Sequence, residues 1–204
     1  MAELRSGNIE LAFVLSVDSW MEEETLTWLD AASRLKTPMQ PVGLQPGEAC
    51  VLLVLELERR ALHRRAAILA SVAALEFAQE ERFLLTGQVP IGRSLASLLD
   101  SLAASAGWSA TERPWVISDH NGETYRATEW ANCLYHLIQR GDFYQESAVW
   151  FPAVSVGDTG AASGGVAVCM ATRAFARNYA PTSVAVIASS SDGPQRSAIV
   201  LRKP

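Results

Sequence analysis

The sequence predicts an α/β fold in which helices pack on a mostly parallel sheet that closes with a hairpin. Three observations carry this expectation. The second half of the chain alternates as β-α-β-α-β-α-β-β, the order expected of helical crossovers between parallel strands. Turn residues punctuate the joints of that alternation, as at Gly107, Gly141 and Ser191-Asp192-Gly193-Pro194. Finally, 204 residues with 49% hydrophobic and 19% charged content suffice for one ordinary core or two small ones, which excludes disorder, collagen and a disulfide scaffold.

Residues Ile9 to Val17 form a short apolar run rich in Val, Ile and Phe, and read as a strand buried on both faces. Ser19 and Glu22 have capping-box spacing, and Glu22, Glu23 and Glu24 suit the positive end of a helix dipole. A helix is expected to about Leu35, with Thr25, Leu26, Leu29, Ala32 and Leu35 inward. Thr37 to Gly47 holds three prolines and two glycines and must be a loop. Cys50 to Leu57 reads as a second buried strand, Glu58 to Arg65 as a solvated turn of helix, and Ala66 to Phe77 as a strand.

Leu95, Leu98, Leu99, Leu102 and Ala106 lie on one helical stripe within Ile91 to Ala106, and Gly107 terminates it. Trp115 to Ser118 is a short strand. Glu123 to Arg140 is a helix with Ala127, Trp130, Ala131, Leu134, Leu137 and Ile138 inward, closed by Gly141. Ala148 to Ser155 reads as a strand and Gly160 to Tyr179 as a helix of small residues. Ser183 to Ser189 and Arg196 to Leu201 complete the sheet.

Seventeen basic against 22 acidic residues give a net charge of −5, a surface that repels phosphate backbones and anionic lipid, so nucleic acid is not expected as a partner. No apolar run approaches the roughly 20 residues of a membrane helix. The amino terminus lacks the apolar core of a signal peptide, so a cytoplasmic location is expected. Cys50, Cys133 and Cys169 stand far apart without CxxC spacing and read as three buried thiols; no metal and no cofactor is expected.

Two segments could carry chemistry. Val154 to Val168 runs from a strand through Gly157, Gly160, Gly164 and Gly165 into a helix, where glycines let a backbone or ligand approach. It lacks the lysine of GxxxxGK[ST], and Asp158 sits where an anion would bind, so tight packing is the simpler reading. Val116 to Trp130 places Asp119, His120 and Asn121 at the carboxyl end of a strand, where open α/β sheets bind ligands. His120 is the candidate base there, against the plainer role of a turn residue. A serine triad of Ser163, Asp192 and His120 fails the GxSxG pattern, because residues 160–164 read GxxSG.

In order, Val17-Asp18-Ser19, Arg34-Leu35, Pro46-Gly47-Glu48-Ala49, Leu55-Glu56, Asp119 to Glu123 and Gly157 to Gly164 resemble the later part of β-ketoacyl synthases of the thiolase superfamily. The resemblance spans nearly the whole chain. It implies two similar α/β halves, each with a five-stranded mixed sheet. Residues 61–204 then supply a complete C-terminal half, and residues 1–60 the last strands of the N-terminal half. Such enzymes form an acyl-enzyme on cysteine, and the segment carrying that cysteine has no counterpart here. The family's His-Gly-Thr motif aligns on Asn121-Gly122-Glu123, with His120 one residue early. Its Gly-His-x-x-Gly-Ala motif matches Gly157 to Gly164 with Asp158 in place of histidine, and Gly157, Gly160 and Gly164 would shape the ligand loop.

A carboxylate at position 158 would repel a malonyl carboxylate and cannot donate a hydrogen bond to an oxyanion unless protonated. The resemblance therefore implies a degenerate, non-catalytic protein acting as an accessory or assembly subunit, with a protein partner or a second copy on its exposed edges. The sequence also resembles thiolase-like accessory proteins found beside bacterial secretion effectors. The alternative is an active acyltransferase that uses acyl-carrier protein or acyl-coenzyme A thioesters, with a partner chain supplying the cysteine. A third reading is a fragment of a longer protein.

Overall fold

The computed structural model describes residues 2–108, 113–140, 144 and 146–204. After a short helix α1 (Ala2–Ser6), strand β1 (Leu11–Ser19), helix α2 (Glu23–Ala31), strand β2 (Glu48–Glu56) and helix α3 (Glu58–His63) make up the first part. The second contains β3 (Ser71–Gln79), α4 (Arg93–Ser105), β4 (Trp115–Ser118), α5 (Thr124–Arg140), β5 (Val149–Trp150), α6 (Ala153–Val156), α7 (Ser163–Ala176), β6 (Val184–Ser190) and β7 (Gln195–Arg202). Short 3-10 turns occupy Leu84–Thr86 and Gly160–Ala162.

Two sheets result. Strands β3-β7-β6-β4-β5 form a mixed five-stranded sheet, parallel across β6/β4/β5 and antiparallel across β3/β7/β6. Strands β1 and β2 pair antiparallel as a separate two-stranded sheet. The larger sheet is covered on both faces, which is why its central strands are nearly all apolar. Leu95, Leu99 and Leu102 of α4 and Cys133 and Leu137 of α5 pack on Val116, Val186 and Val200. On the opposite face Ala167, Ala171, Ala174 and Phe175 of α7 meet Trp115, Ile117, Ala185 and Ile187.

Small side chains let α7 serve both sheets. A Cβ added at Gly165 would sit 2.7 Å from Ser16 Oγ and 3.0 Å from Val51 Cβ, so the helix presses directly on β1 and β2. The layers therefore run from α4 and α5, through the five-stranded sheet and α7, to the two-stranded sheet. Beyond that sheet the order ends. Cross-strand partners share a face, and the pairs Phe13–Val54 and Leu15–Leu52 are 66, 52, 64 and 56% exposed respectively.

The structure corrects several expectations. Ile9 to Val17 and Cys50 to Leu57 do contribute strands, but not strands buried on both faces: α7 covers one side of β1 and β2, and the other is bare. The helix after Ser19 stops at Ala31, and of its expected inner stripe only Leu29 is buried. Ser19 does not cap it, because its hydroxyl bonds Glu48 and the Met21 N–H. Ser33, at φ 54°, then turns the chain away. The strand expected from Ala148 to Ser155 ends at Trp150, since Pro152 opens α6. Ala131 and Ile138 of α5 are exposed, and Gly141 lies outside the described residues. Cys133 is buried, but Cys50 and Cys169 are exposed. Among the described residues, no helix is long and apolar enough to cross a membrane.

Candidate functional site

Strand β4 is buried at every position, and its carboxyl end delivers Asp119 to Gly122 between β6 and the glycine loop that precedes α7. Asn121 is buried and has its polar atoms fully engaged. Its Nδ2 donates to Glu123 Oε2 at 2.9 Å and to Asp158 Oδ2 at 2.6 Å, while its Oδ1 accepts the Glu123 backbone N–H at 3.1 Å. Two carboxylates on the donor side and an N–H on the acceptor side fix the amide orientation, and both amide protons are consumed.

Asp158 is held as firmly. Its Oδ1 accepts the Gly160 N–H at 2.8 Å, its backbone N–H donates to Gln45 O at 2.7 Å, and its carbonyl accepts the Gly47 N–H at 2.8 Å. These backbone bonds pin the loop around Pro46 against the glycine segment. Gly157 has φ 78°, and a Cβ there would lie 2.7 Å from Pro46 O. Gly160, at φ 53°, leaves no room either, since its Cβ would approach Asp18 Oδ2 to 2.2 Å. The Asp18 carboxylate caps the adjoining 3-10 turn by accepting the Ala161 N–H at 2.8 Å. Gly164 differs: the nearest atom to an added Cβ is Ser189 Oγ at 3.7 Å, an ordinary contact.

Asp119, Asn121 and Asp158 thus come together, whereas His120 turns aside. Its ring stands edge-on to Phe151 with centroids 5.2 Å apart, and its Nδ1 accepts the Gly122 N–H at 3.3 Å. Burial lowers the His120 pKa, Asp119 opposes that shift and Arg126 reinforces it, so the imidazole is neutral at physiological pH. Burial raises the Asp119 carboxyl, against the pull of Arg126 and of the Ser190 N–H. The serine triad does not assemble: Ser163 Oγ pairs with Thr159 Oγ1 at 3.1 Å, and Asp192 is held by two arginines. Among the described residues, no group of three or more His, Cys, Asp or Glu side chains is arranged to hold a metal.

Between the strand ends and the glycine segment remains a cavity of about 10 Å³, bordered by Ser118, Asp119, Asp158, Thr159, Ser163 and Ser189. That is room for about one water molecule, against roughly 300 Å³ or more for a small-molecule site. His120 does not border it.

Around this centre lies an ion-pair network. Arg34, from the turn after α2, reaches Glu123 through Nε at 2.6 Å and Nη2 at 2.9 Å, and Asp192 through Nη1 at 2.8 Å. Burial opposes the Arg34 charge, but its bonds to Glu123 and Asp192 prevail and raise its pKa above the usual arginine range. The guanidinium also lies 5.9 and 5.5 Å from the ring centroids of Trp20 and Trp28. Arg126 joins Asp119 and Asp192, and Arg196, fully buried, donates to Glu129 at 2.7 Å and to the Tyr125 hydroxyl at 2.9 Å. Sequence reasoning did not assign these roles to Arg34, Glu123, Arg126 and Arg196. Their partners lie up to 158 positions away, and no local spacing marks them.

No protein-family model matches the sequence, and no curated protein matches it. Solved structures do. The ketosynthase structure of the AntDE:AntF type II polyketide synthase, in complex with its acyl-carrier protein, aligns over 100% of this chain and 58% of its own, with TM-score 0.85 and 16% identity. The ketosynthase from module 6 of the bacillaene synthase of Bacillus subtilis 168 aligns over 100% of this chain and 44% of its own, with TM-score 0.84 and 17% identity. A β-ketoacyl synthase from Burkholderia phymatum aligns over 100% and 57%, with TM-score 0.79 and 16% identity. The chain spans about half the length of these structures. It has the thiolase-like α/β fold of ketosynthases, with a complete five-stranded mixed sheet and two strands of a second.

Proposed function

We propose that this chain is a ketosynthase-like binding subunit without condensing activity of its own. In this reading residues 61–204 are a complete C-terminal half, residues 1–60 are a remnant of the N-terminal half, and the protein works in the cytoplasm as an accessory or assembly component. The observation that carries the proposal is the 2.6 Å bond between Asn121 and Asp158, closed over a cavity of about 10 Å³. Groups at the positions that align with the family's histidines bond each other, and the space left holds no thioester. The near-complete satisfaction of Asn121, Glu123 and Asp158 by internal partners suits a structural role. It does not suit acid-base work, which needs a reachable proton. Acyl-carrier protein or acyl-coenzyme A then remains a candidate partner for surface binding, not for acylation.

The test is decarboxylative turnover. Purified protein incubated with malonyl-coenzyme A and an acyl thioester is expected to release carbon dioxide at the rate of the protein-free blank. Release above the blank that is lost in Asp158→Ala or His120→Ala supports the acyltransferase alternative instead.

A further inference from the structure

Four asparagines occur in the chain, and Asn121 is the one followed by glycine; Ile9, Cys133 and Tyr179 follow the others. The difference is chemical. A bulky side chain shields the backbone nitrogen of its own residue, whereas glycine leaves that nitrogen open to the preceding asparagine side chain. Residue 122 must be glycine for a separate reason, since its φ is 100° and an added Cβ would lie 2.6 Å from Gly43 O. The fold therefore sets an unshielded nitrogen beside the Asn121 carboxamide at the centre of the site.

Every atom that would take part in closing a ring between Gly122 and Asn121 has a neighbour suited to its part. The Gly122 N–H donates to His120 Nδ1 at 3.3 Å, so the imidazole presents its unprotonated nitrogen to the proton that must be removed. Asn121 Oδ1, where negative charge gathers as the carboxamide carbon is attacked, accepts the Glu123 N–H at 3.1 Å. That same bond closes an Asx turn, which folds the carboxamide back toward the Gly122 nitrogen. Nδ2, the atom that would leave, donates to Glu123 Oε2 and Asp158 Oδ2. Burial of Asn121 holds this arrangement in place, while Gly122 is exposed and admits water to a ring once formed.

We propose that Asn121-Gly122 is a self-modification site, at which the Gly122 nitrogen attacks Asn121 Cγ with His120 as base and forms a five-membered succinimide. The new N–C bond replaces the bond from Cγ to Nδ2, and the proton taken from Gly122 departs with the amide nitrogen as ammonia. Water then opens the ring at either carbonyl and leaves aspartate or isoaspartate at position 121. Either product removes both donors of Nδ2 and sets a third carboxylate against Glu123 and Asp158. The bond that joins the glycine segment to the turn after β4 is then lost, so one irreversible step unlocks the centre.

The experiment follows residue 121 by peptide-mapping mass spectrometry in protein held at neutral pH and physiological temperature. Freshly purified chain carries Asn121. On prolonged incubation the peptide should become heavier by the difference between a hydroxyl and an amino group, with aspartate and isoaspartate forms both present. The folded chain should convert at least about tenfold faster than the same chain unfolded in urea, which is less than a well-placed base commonly contributes. His120→Ala, with its fold checked by circular dichroism, should lose that advantage, as should His120→Gln, which keeps a polar side chain but no base. Asn8, Asn132 and Asn178 should stay intact over the same period. The modified fraction, separated by anion exchange, should melt at a lower temperature than the unmodified chain. Conversion no faster than in urea, or an unchanged rate in a folded His120 variant, would overturn the proposal. A modified chain that melts together with the unmodified one would overturn the unlocking.

Discussion

Replacing Arg34 by Ala removes three charge-assisted hydrogen bonds at once, two to Glu123 and one to Asp192. Glu123 is the partner that suffers, because its side chain is only 8% exposed. Stripping one partner from a buried pair costs about 3–5 kcal/mol. Asn121 Nδ2 and the Asn121 carbonyl-side contact with the Glu123 N–H survive the change, and the more open Asp192 still has Arg126. A cost of about 2–3 kcal/mol follows, or roughly 5–10 °C in Tm for a chain of this size. The loss should be local before it is global. The Arg34 carbonyl also accepts the Leu44 N–H, and the Lys36 N–H bonds the Leu44 carbonyl in turn, so the turn that the Arg34 side chain ties to Glu123 and Asp192 is the one whose backbone holds the segment leading to Pro46. Hydrogen exchange should therefore accelerate first at Leu44, Gly47 and Asp158, while β6 and β7 keep their protection. A double-mutant cycle of Arg34→Ala with Glu123→Gln should show coupling of at least about 1.5 kcal/mol. A Tm change under about 1 °C with unaltered exchange at Gly47 would refute the idea that this pair locks the two parts together.

Three other outcomes follow from the same geometry. Gly157→Ala should lower stability by about 2–4 kcal/mol, since it combines a left-handed φ with a backbone clash against Pro46, whereas Gly164→Ala should be neutral or stabilising by up to about 1 kcal/mol; urea melts of the pair check both. His120 has a folded-state pKa below its unfolded value, so its contribution is fully present above about pH 6.5 and is lost as pH falls below that value and through the folded-state pKa. Tm measured between about pH 7.5 and 5.5 should fall less steeply in His120→Gln than in the wild type, while Asp119, raised by burial, works in the opposite sense. Arg196→Leu leaves Glu129 buried without its cation and should cost about 3–5 kcal/mol, of which Arg196→Leu with Glu129→Leu should regain a large part by thermal melting.

The second half of the chain was legible because its elements are amphipathic in regular ways. Leu95, Leu98, Leu99 and Leu102 lie buried on one face of α4 as their spacing requires, and Trp115 to Ser118 is a strand with the predicted bounds. The first part misleads because Val, Ile and Phe in β1 and β2 signal burial whether or not anything covers them. Local sequence reports that a strand forms and says nothing of whether a neighbour covers it. The glycine segment and the Asp119 to Gly122 turn were visible as strand-end features, and the pairing of Asn121 with Asp158 unites the two. Their ionic surroundings were not visible, because Arg34, Glu123 and Asp192 meet only through the tertiary fold.

The account stands or falls on whether this molecule takes up an acyl group. Intact-mass spectrometry after incubation with acyl-coenzyme A reads this directly, since Cys50, Cys133 and Cys169 are its only thiols and burial raises the pKa of Cys133 and Cys169. The account predicts an unmodified chain of 22.1 kDa, before and after dialysis. A stable, stoichiometric acyl adduct on any one of the three cysteines would contradict it.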